Sequence, residues 1–138
     1  MKVVLDTNVY VSAFLFDRGP ERIIELGVAS NFRIYSSRYI IEELRDVLVG
    51  KLGATPRFGA LAAIRVSKLA AVVGVSGSVP RGTTGIDAQD SPIVKTCLSS
   101  KADFLVTGDK KLLNLRLPGI VILKSAAFLQ HLRSRGIR

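Results

Sequence analysis

The sequence predicts an α/β protein in which a mainly parallel, five-stranded sheet lies between helices. Short β-rich segments alternate with segments whose apolar residues recur at helical spacing, and Gly, Pro and Ser mark the breaks between them. Such alternation is typical of a parallel sheet. The chain has 138 residues, 48% of them hydrophobic, which suits a single domain over residues 1–138.

Each predicted element follows from a local pattern. The strands are short apolar or β-branched runs at residues 2–5, 32–35, 71–76, 102–109 and 119–123. The helices show helical spacing over about residues 7–16, 20–30, 37–50, 56–69, 91–100 and 125–133. The stretch DRGP breaks the first helix from the second, and Pro20 is tolerated because it lies in a first turn. The stretch SGSVPRGTTG, residues 76–85, is the clearest predicted loop.

Two predicted strands run directly into polar residues. The first is followed by Asp6, Thr7 and Asn8, and the fourth ends in Thr107, Gly108 and Asp109. In a parallel α/β sheet, ligands bind at the carboxyl ends of the strands. If these two strands are neighbours, the two aspartates lie at the same edge of the sheet.

The charge balance points to a polyanionic partner. Twenty Lys and Arg against eleven Asp and Glu give a net charge of +9. This excess suits nucleic acid, an anionic membrane surface or an acidic protein, and it is also compatible with ordinary solvated surface charge. No apolar run approaches the roughly 20 residues needed to span a bilayer. With one cysteine and no signal-peptide pattern, the expected compartment is the cytoplasm.

Four acids form a candidate metal site: Asp6, Glu43, Asp90 and Asp109. Neighbouring carboxylates repel each other, so they either share a proton or are neutralised by a cation. Oxygen ligands without a His or Cys cluster favour Mg²⁺ or Mn²⁺ over zinc. Each acid also has a structural interpretation. Asp6 and Asp90 are possible N-caps, Glu43 a solvated helix residue and Asp109 a turn residue.

The sequence resembles the PIN-domain family, in particular the small toxins of VapBC-like toxin–antitoxin pairs. The resemblance is carried by VVLDTNVYVSAFL, SSRYIIEELRDVL, DAQDSPIVKTCLSSKADFLVTGDKKLL and ILKSAAFL, which together span nearly the whole chain. It implies a three-layer α/β/α fold and Mg²⁺- or Mn²⁺-dependent endoribonuclease activity. Partners implied by it are an RNA substrate, a cognate antitoxin and a second copy of the chain, with no membrane association.

The resemblance also implies roles for particular residues. Asp6, Glu43, Asp90 and Asp109 match the four family acids, with Asp6, Asp90 and Asp109 as metal ligands and Glu43 as a ligand or the holder of a water. Asn8 and Thr107 would orient the ligands. Asp87 either supports the ion through a water or shapes the turn. Apart from the resemblance, proximity in sequence to the acids makes four lysines candidates for binding RNA phosphates: Lys95, Lys101, Lys110 and Lys111.

The same residues bear on other function classes. A Ser-His-Asp hydrolase is disfavoured because the one histidine, His131, lies in the last predicted helix beside a basic tail and is interpreted as a surface residue. Phosphatase-like acyl-phosphate chemistry at Asp6 lacks a second aspartate two positions on, where Asn8 stands. Two alternatives stay open: an RNA-processing nuclease without an antitoxin, and an inactive RNA- or protein-binding module. Cys97 is predicted to be a core residue.

Overall fold

The structure is a computed structural model that describes residues 1–75 and 91–138. Its strands are β1 (Lys2–Leu5), β2 (Arg33–Ser37), β3 (Ala71–Val73), β4 (Phe104–Val106) and β5 (Val121–Leu123). Its α-helices are α1 (Thr7–Phe14), α2 (Arg18–Val28), α3 (Arg38–Asp46), α4 (Pro56–Leu69), α5 (Pro92–Ser100), α6 (Lys110–Leu113) and α7 (Ser125–Ser134). The predicted loop at 76–85 and the candidate residues Asp87 and Asp90 lie outside the described residues.

The five described strands form one sheet in the order β3-β2-β1-β4-β5, and every pairing is parallel. Helices pack against this sheet to give the three-layer α/β/α fold, so the predicted fold class is confirmed. The strand order reverses at β1, because β2 lies on one side of it and β4 on the other. Such a reversal point is where α/β sheets leave a crevice for ligands.

The core explains why β1 and β4 are central strands. Val3, Val4, Leu5 and Leu105 are fully buried, as expected for strands covered on both faces. Leu5 is in register with Val106, so β1 and β4 end side by side. The first residues past each strand therefore meet at one edge of the sheet.

Several predicted boundaries differ from the structure. The first helix ends at Phe14 and the second begins at Arg18, before Pro20, so the break between them lies two residues earlier than predicted. A proline still fits there because the first-turn N–H groups have no intrahelical partner. Helix α3 passes into a five-residue π-helical turn (Val47–Lys51), and the short helix α6 was not predicted.

The N-cap of α5 is Ser91, whose Oγ accepts a hydrogen bond from Val94 N at 3.3 Å. The interpretation of Asp90 as this cap is therefore wrong, because a helix has a single N-cap residue. By contrast, Asp6 is the N-cap of α1. Its carboxylate thus has a structural role in addition to any role in a site.

Two predictions about side chains outside the site can also be checked. Cys97 is fully buried in the core, as predicted, and burial raises the pKa of its thiol to about 12. His131 is not a surface residue, because its ring packs on Phe104 with 4.8 Å between ring centroids. Among the described residues, no helix is both long and apolar enough to cross a membrane.

Candidate functional site

Asp6 is held rigidly at the end of β1. Its backbone N donates to Val106 O at 2.9 Å, which continues the β1–β4 pairing by one residue. Its Oδ1 accepts a hydrogen bond from Thr7 N at 2.8 Å, which caps α1. Only 5% of the residue is exposed. A carboxylate that is both buried and hydrogen-bonded to its own helix has one accessible orientation.

Thr107 connects the two strand-end aspartates. Its hydroxyl donates to Asp6 Oδ2 at 2.7 Å and accepts from Asp109 N at 3.0 Å. The Thr107 backbone N donates to Leu123 O at 3.0 Å, so the residue is also tied to β5, and it is fully buried. Asp109 is the N-cap of α6, where its Oδ1 accepts from Lys111 N at 2.8 Å. The positions of both carboxylates therefore depend on one hydroxyl group.

Glu43 reaches the same edge of the sheet from α3. Its Oε2 accepts a hydrogen bond from the hydroxyl of Tyr39, one helical turn earlier. This bond is the main reason that the pKa of Tyr39 is raised to about 12, and burial and the charges of Glu43 and Asp6 raise it further. The phenol is therefore protonated, and a hydrogen-bond donor, at neutral pH.

A single cleft of about 360 Å³ is lined by Asp6, Tyr39, Glu43 and Asp109, with Thr107 buried behind it. Its carboxylates are those of Asp6, Glu43 and Asp109, and Lys111 also lines it. Burial is the largest cause of the raised pKa of Asp6; the hydrogen bonds from Thr107 and Thr7 lower that pKa, and the charges of Glu43 and Asp109 raise it again. The hydrogen bonds to Asp6 therefore do not fully offset the cost of burying its negative charge near two other carboxylates.

Within residues 1–75 and 91–138, no basic side chain forms an ion pair with the cleft carboxylates. The two ion pairs found there, Arg22–Glu25 and Arg38–Glu42, involve none of the three cleft carboxylates. A divalent cation would relieve the repulsion, and oxygen donors suit Mg²⁺ or Mn²⁺.

In the described part of the chain, no group of three or more Asp, Glu, His or Cys side chains is placed to hold a metal ion by itself. Mg²⁺, however, is usually held by one or two carboxylates together with waters and substrate phosphate. The donors of Asp6 and Asp109 therefore fit such an ion.

The other predicted site residues lie at different distances from the cleft. Asn8 lines the cleft, and its Oδ1 lies 3.5 Å from Gly108 N, at the long limit of a hydrogen bond. Lys110 is exposed and directly follows Asp109, while Lys95 is half-buried on α5.

Lys101 does not belong with the other candidate lysines. It ends α5 in a left-handed conformation (φ 54°), two residues before Asp103, whose N donates to Lys2 O at the beginning of β1. This is the amino edge of the sheet, at the opposite end of β1 and β4 from Asp6 and Asp109. The structure therefore does not bring Lys101 together with the acids, because the length of β4 separates it from them, and its role in RNA binding stays a prediction.

The cleft is also lined by three polar residues that were not predicted as site residues: Tyr39, Thr7 and Ser91. A signal for Tyr39 was present, because residues four apart on a helix share a face and Tyr39 precedes Glu43 by four. Thr7 Oγ1 is buried and has no hydrogen-bond partner among the described residues. No local pattern indicates that Thr7 and Ser91 border the same cleft, since they come from elements far apart in the chain.

The raised pKa of Asp6 predicts how stability depends on pH in the absence of metal. The folded state binds the Asp6 proton more tightly than the unfolded state. Ionisation of Asp6 therefore reduces the free energy of unfolding as the pH rises above 3.8, the ordinary pKa of an aspartate. The asparagine of Asp6→Asn keeps a side-chain oxygen that can cap α1, but its amide group cannot ionise. In EDTA, the stability of this variant relative to wild type should increase from about pH 4 to neutral pH.

Urea unfolding at several pH values measures this difference. Glu42→Gln is a matched control. Glu42 is exposed, pairs with Arg38 one helical turn earlier on α3, and does not line the cleft. A difference between Asp6→Asn and wild type that does not change with pH would contradict the prediction.

The comparisons with known proteins concern the same region. A family model described as PIN domain matches residues 2–111, which include every strand-end residue of the cleft. A chain from the crystal structure of VapBC2 from Rickettsia felis bound to a DNA fragment from their promoter matches the fold with a TM-score of 0.60 and 18% sequence identity. The match covers 88% of this chain and 97% of that chain. No curated protein matches this chain. Since the family model covers most of its length, this chain belongs to the PIN-domain family.

Proposed function

We propose that this protein is a Mg²⁺- or Mn²⁺-dependent endoribonuclease and the toxin of a VapBC-like toxin–antitoxin pair. The observation that carries the proposal is the linkage of Asp6 and Asp109 through Thr107, with Glu43 facing the same cleft. The net charge of +9 supports a polyanionic substrate, and membership of the PIN-domain family supports a nuclease.

The proposed roles are supported by the positions of the described side chains and, for Asp87 and Asp90, by the resemblance to the family. Asp6 and Asp109 would hold the ion together with Asp90, and Glu43 would bind it or hold the attacking water. Thr107 and Asn8 would keep the ligands oriented, and Asp87 is a further candidate for that support. When bound, the ion supplies stabilisation of the charge that develops on the phosphate and lowers the pKa of a water.

The basic side chains would bind the RNA backbone. Lys111 lines the cleft and Lys110 is adjacent to Asp109, which supports a role for both in binding RNA phosphates near the cleft. Lys95 would extend this contact along α5. Because such contacts release counterions, RNA affinity should fall as the salt concentration rises. RNA as the substrate also places the proposed activity in the cytoplasm.

The proposed partners are a cognate antitoxin and a second copy of the chain. The fold similarity to a chain of a VapBC2 complex, together with the resemblance to VapBC-like toxins, supports a cognate antitoxin that covers the cleft. The same resemblance supports a homodimer. An RNA-processing nuclease of this family would have the same cleft without such a partner. A short upstream gene for a DNA-binding protein would favour the toxin.

The central experiment measures cleavage of an end-labelled structured RNA by the purified protein in Mn²⁺, Mg²⁺ or EDTA, beside an Asp90→Asn variant. We expect cleavage in at least one metal, none in EDTA and a loss of cleavage in the variant. The variant also tests the one proposed metal ligand that lies outside the described residues. RNA binding without cleavage in either metal would contradict the proposal and favour a binding module.

A further inference from the structure

Helix α3 carries two side-chain pairs of the same spacing on different faces. Arg38 Nε donates to Glu42 Oε1 at 3.0 Å, and the side chains of this pair are 89% and 64% exposed. One residue further along, the Tyr39 hydroxyl donates to Glu43 Oε2, and both of these residues line the acidic cleft. The first pair belongs to the solvent-exposed surface, and the second belongs to the site.

The hydrogen bond from Tyr39 limits what Glu43 can do. A glutamate side chain has several rotatable bonds, and its ordering costs conformational entropy. The hydroxyl of Tyr39 fixes Oε2, and no other side-chain hydrogen bond reaches Glu43 from residues 1–75 and 91–138. Oε1 is therefore free to accept a hydrogen bond or to bind an ion, in a carboxylate whose orientation is already set.

The position of the Tyr39 ring makes it different from a surface residue that happens to lie near an acid. Although 38% of Tyr39 is exposed, the residue lines the cleft together with Val11 and Val47. Its hydroxyl donates to Glu43 Oε2 and so restricts where that carboxylate lies. This is the arrangement by which groups around a metal site fix the geometry of its ligands.

We propose that Tyr39 is a positioning residue, whose hydroxyl holds Glu43 so that the second carboxylate oxygen faces the ion and its waters. The inference rests on the proposed function, because it concerns the same metal site. It adds a residue that the resemblance to the family did not assign. The role belongs to the hydroxyl group, and the ring serves to place it.

Tyr39→Phe removes the hydroxyl and keeps the ring. Mn²⁺ binding, measured without RNA from the electron paramagnetic resonance signal of the free ion, should weaken by about tenfold, the lower range for loss of a group that supports a metal ligand. In the cleavage assay the Mn²⁺ concentration for half-maximal rate should rise by a similar factor. The KM for RNA and the melting temperature should stay unchanged, because the ring still packs in the cleft.

Arg38→Ala is the matched control. It removes a hydrogen bond of the same spacing from the same helix, on the solvent side, and should leave Mn²⁺ binding and the cleavage rate as in wild type. Tyr39→Ala additionally removes the ring and reports whether the ring contacts RNA through the KM.

The outcomes separate this inference from the proposed function. The role of Tyr39 would be overturned if Tyr39→Phe bound Mn²⁺ as tightly as wild type and needed the same Mn²⁺ concentration for half-maximal cleavage. It would also be overturned if Arg38→Ala lost as much Mn²⁺ affinity as Tyr39→Phe. If the wild-type protein binds Mn²⁺ and cuts no RNA, the proposed function fails, and the binding data still decide the role of Tyr39. If the wild-type protein binds no Mn²⁺ without RNA, this inference is overturned, and cleavage in Mg²⁺ or Mn²⁺ still decides the proposed function.

Discussion

Asp6→Asn is expected to reduce metal-dependent RNA cleavage by at least about a hundredfold. The substitution replaces a charged ligand with a neutral one, and the electrostatic stabilisation supplied through a catalytic metal is worth several kcal/mol. Each tenfold loss of rate corresponds to about 1.4 kcal/mol. The folded structure should survive, because Asn caps helices about as well as Asp. Single-turnover cleavage at saturating Mn²⁺ measures the chemical step.

Two further measurements keep this prediction specific to the site. The variant should be at least as stable as wild type in EDTA at neutral pH, since it lacks the buried charge of Asp6. Glu42→Gln should cleave RNA at the wild-type rate, because Glu42 pairs with Arg38 on the exposed face of α3. Asp6→Asn that retains more than a tenth of the wild-type rate would show that Asp6 does not hold the ion.

Thr107→Val is expected to lower both stability and cleavage. Valine keeps the shape of the side chain, but it removes the donor to Asp6 Oδ2 and the acceptor for Asp109 N. Leaving a buried polar group without its partner costs about 1–3 kcal/mol, which urea unfolding will detect. Cleavage should fall by about tenfold or more, because the hydroxyl sets the positions of two carboxylates.

Thr107→Ser is the corresponding control. Serine keeps the hydroxyl and should retain most of the cleavage activity, with a smaller loss of stability from the missing methyl group. A Thr107→Val variant as active as wild type would mean that the backbone alone holds Asp6 and Asp109 in place. A Thr107→Ser variant as inactive as Thr107→Val would assign the effect to packing.

The sequence by itself determined the elements that depend on neighbours along the chain. The apolar run of β1 was predicted at Lys2–Leu5, where the structure has it, because a strand buried on both faces leaves a continuous apolar segment. The polar residues after β1 and β4 were recognisable for the same reason, since they interrupt such segments abruptly. The pair of Tyr39 and Glu43 was also within reach, because residues four apart on a helix always share a face.

The tertiary structure decided what depends on contacts between distant segments. In the strand order β3-β2-β1-β4-β5, β1 and β4 are neighbours. This pairing brings Asp6 within hydrogen-bonding distance of Thr107, which is 101 residues away in the chain. Local patterns cannot determine this neighbourhood, because strand order follows from how helices and strands pack over the whole domain, and that packing free energy is not contained in any short segment.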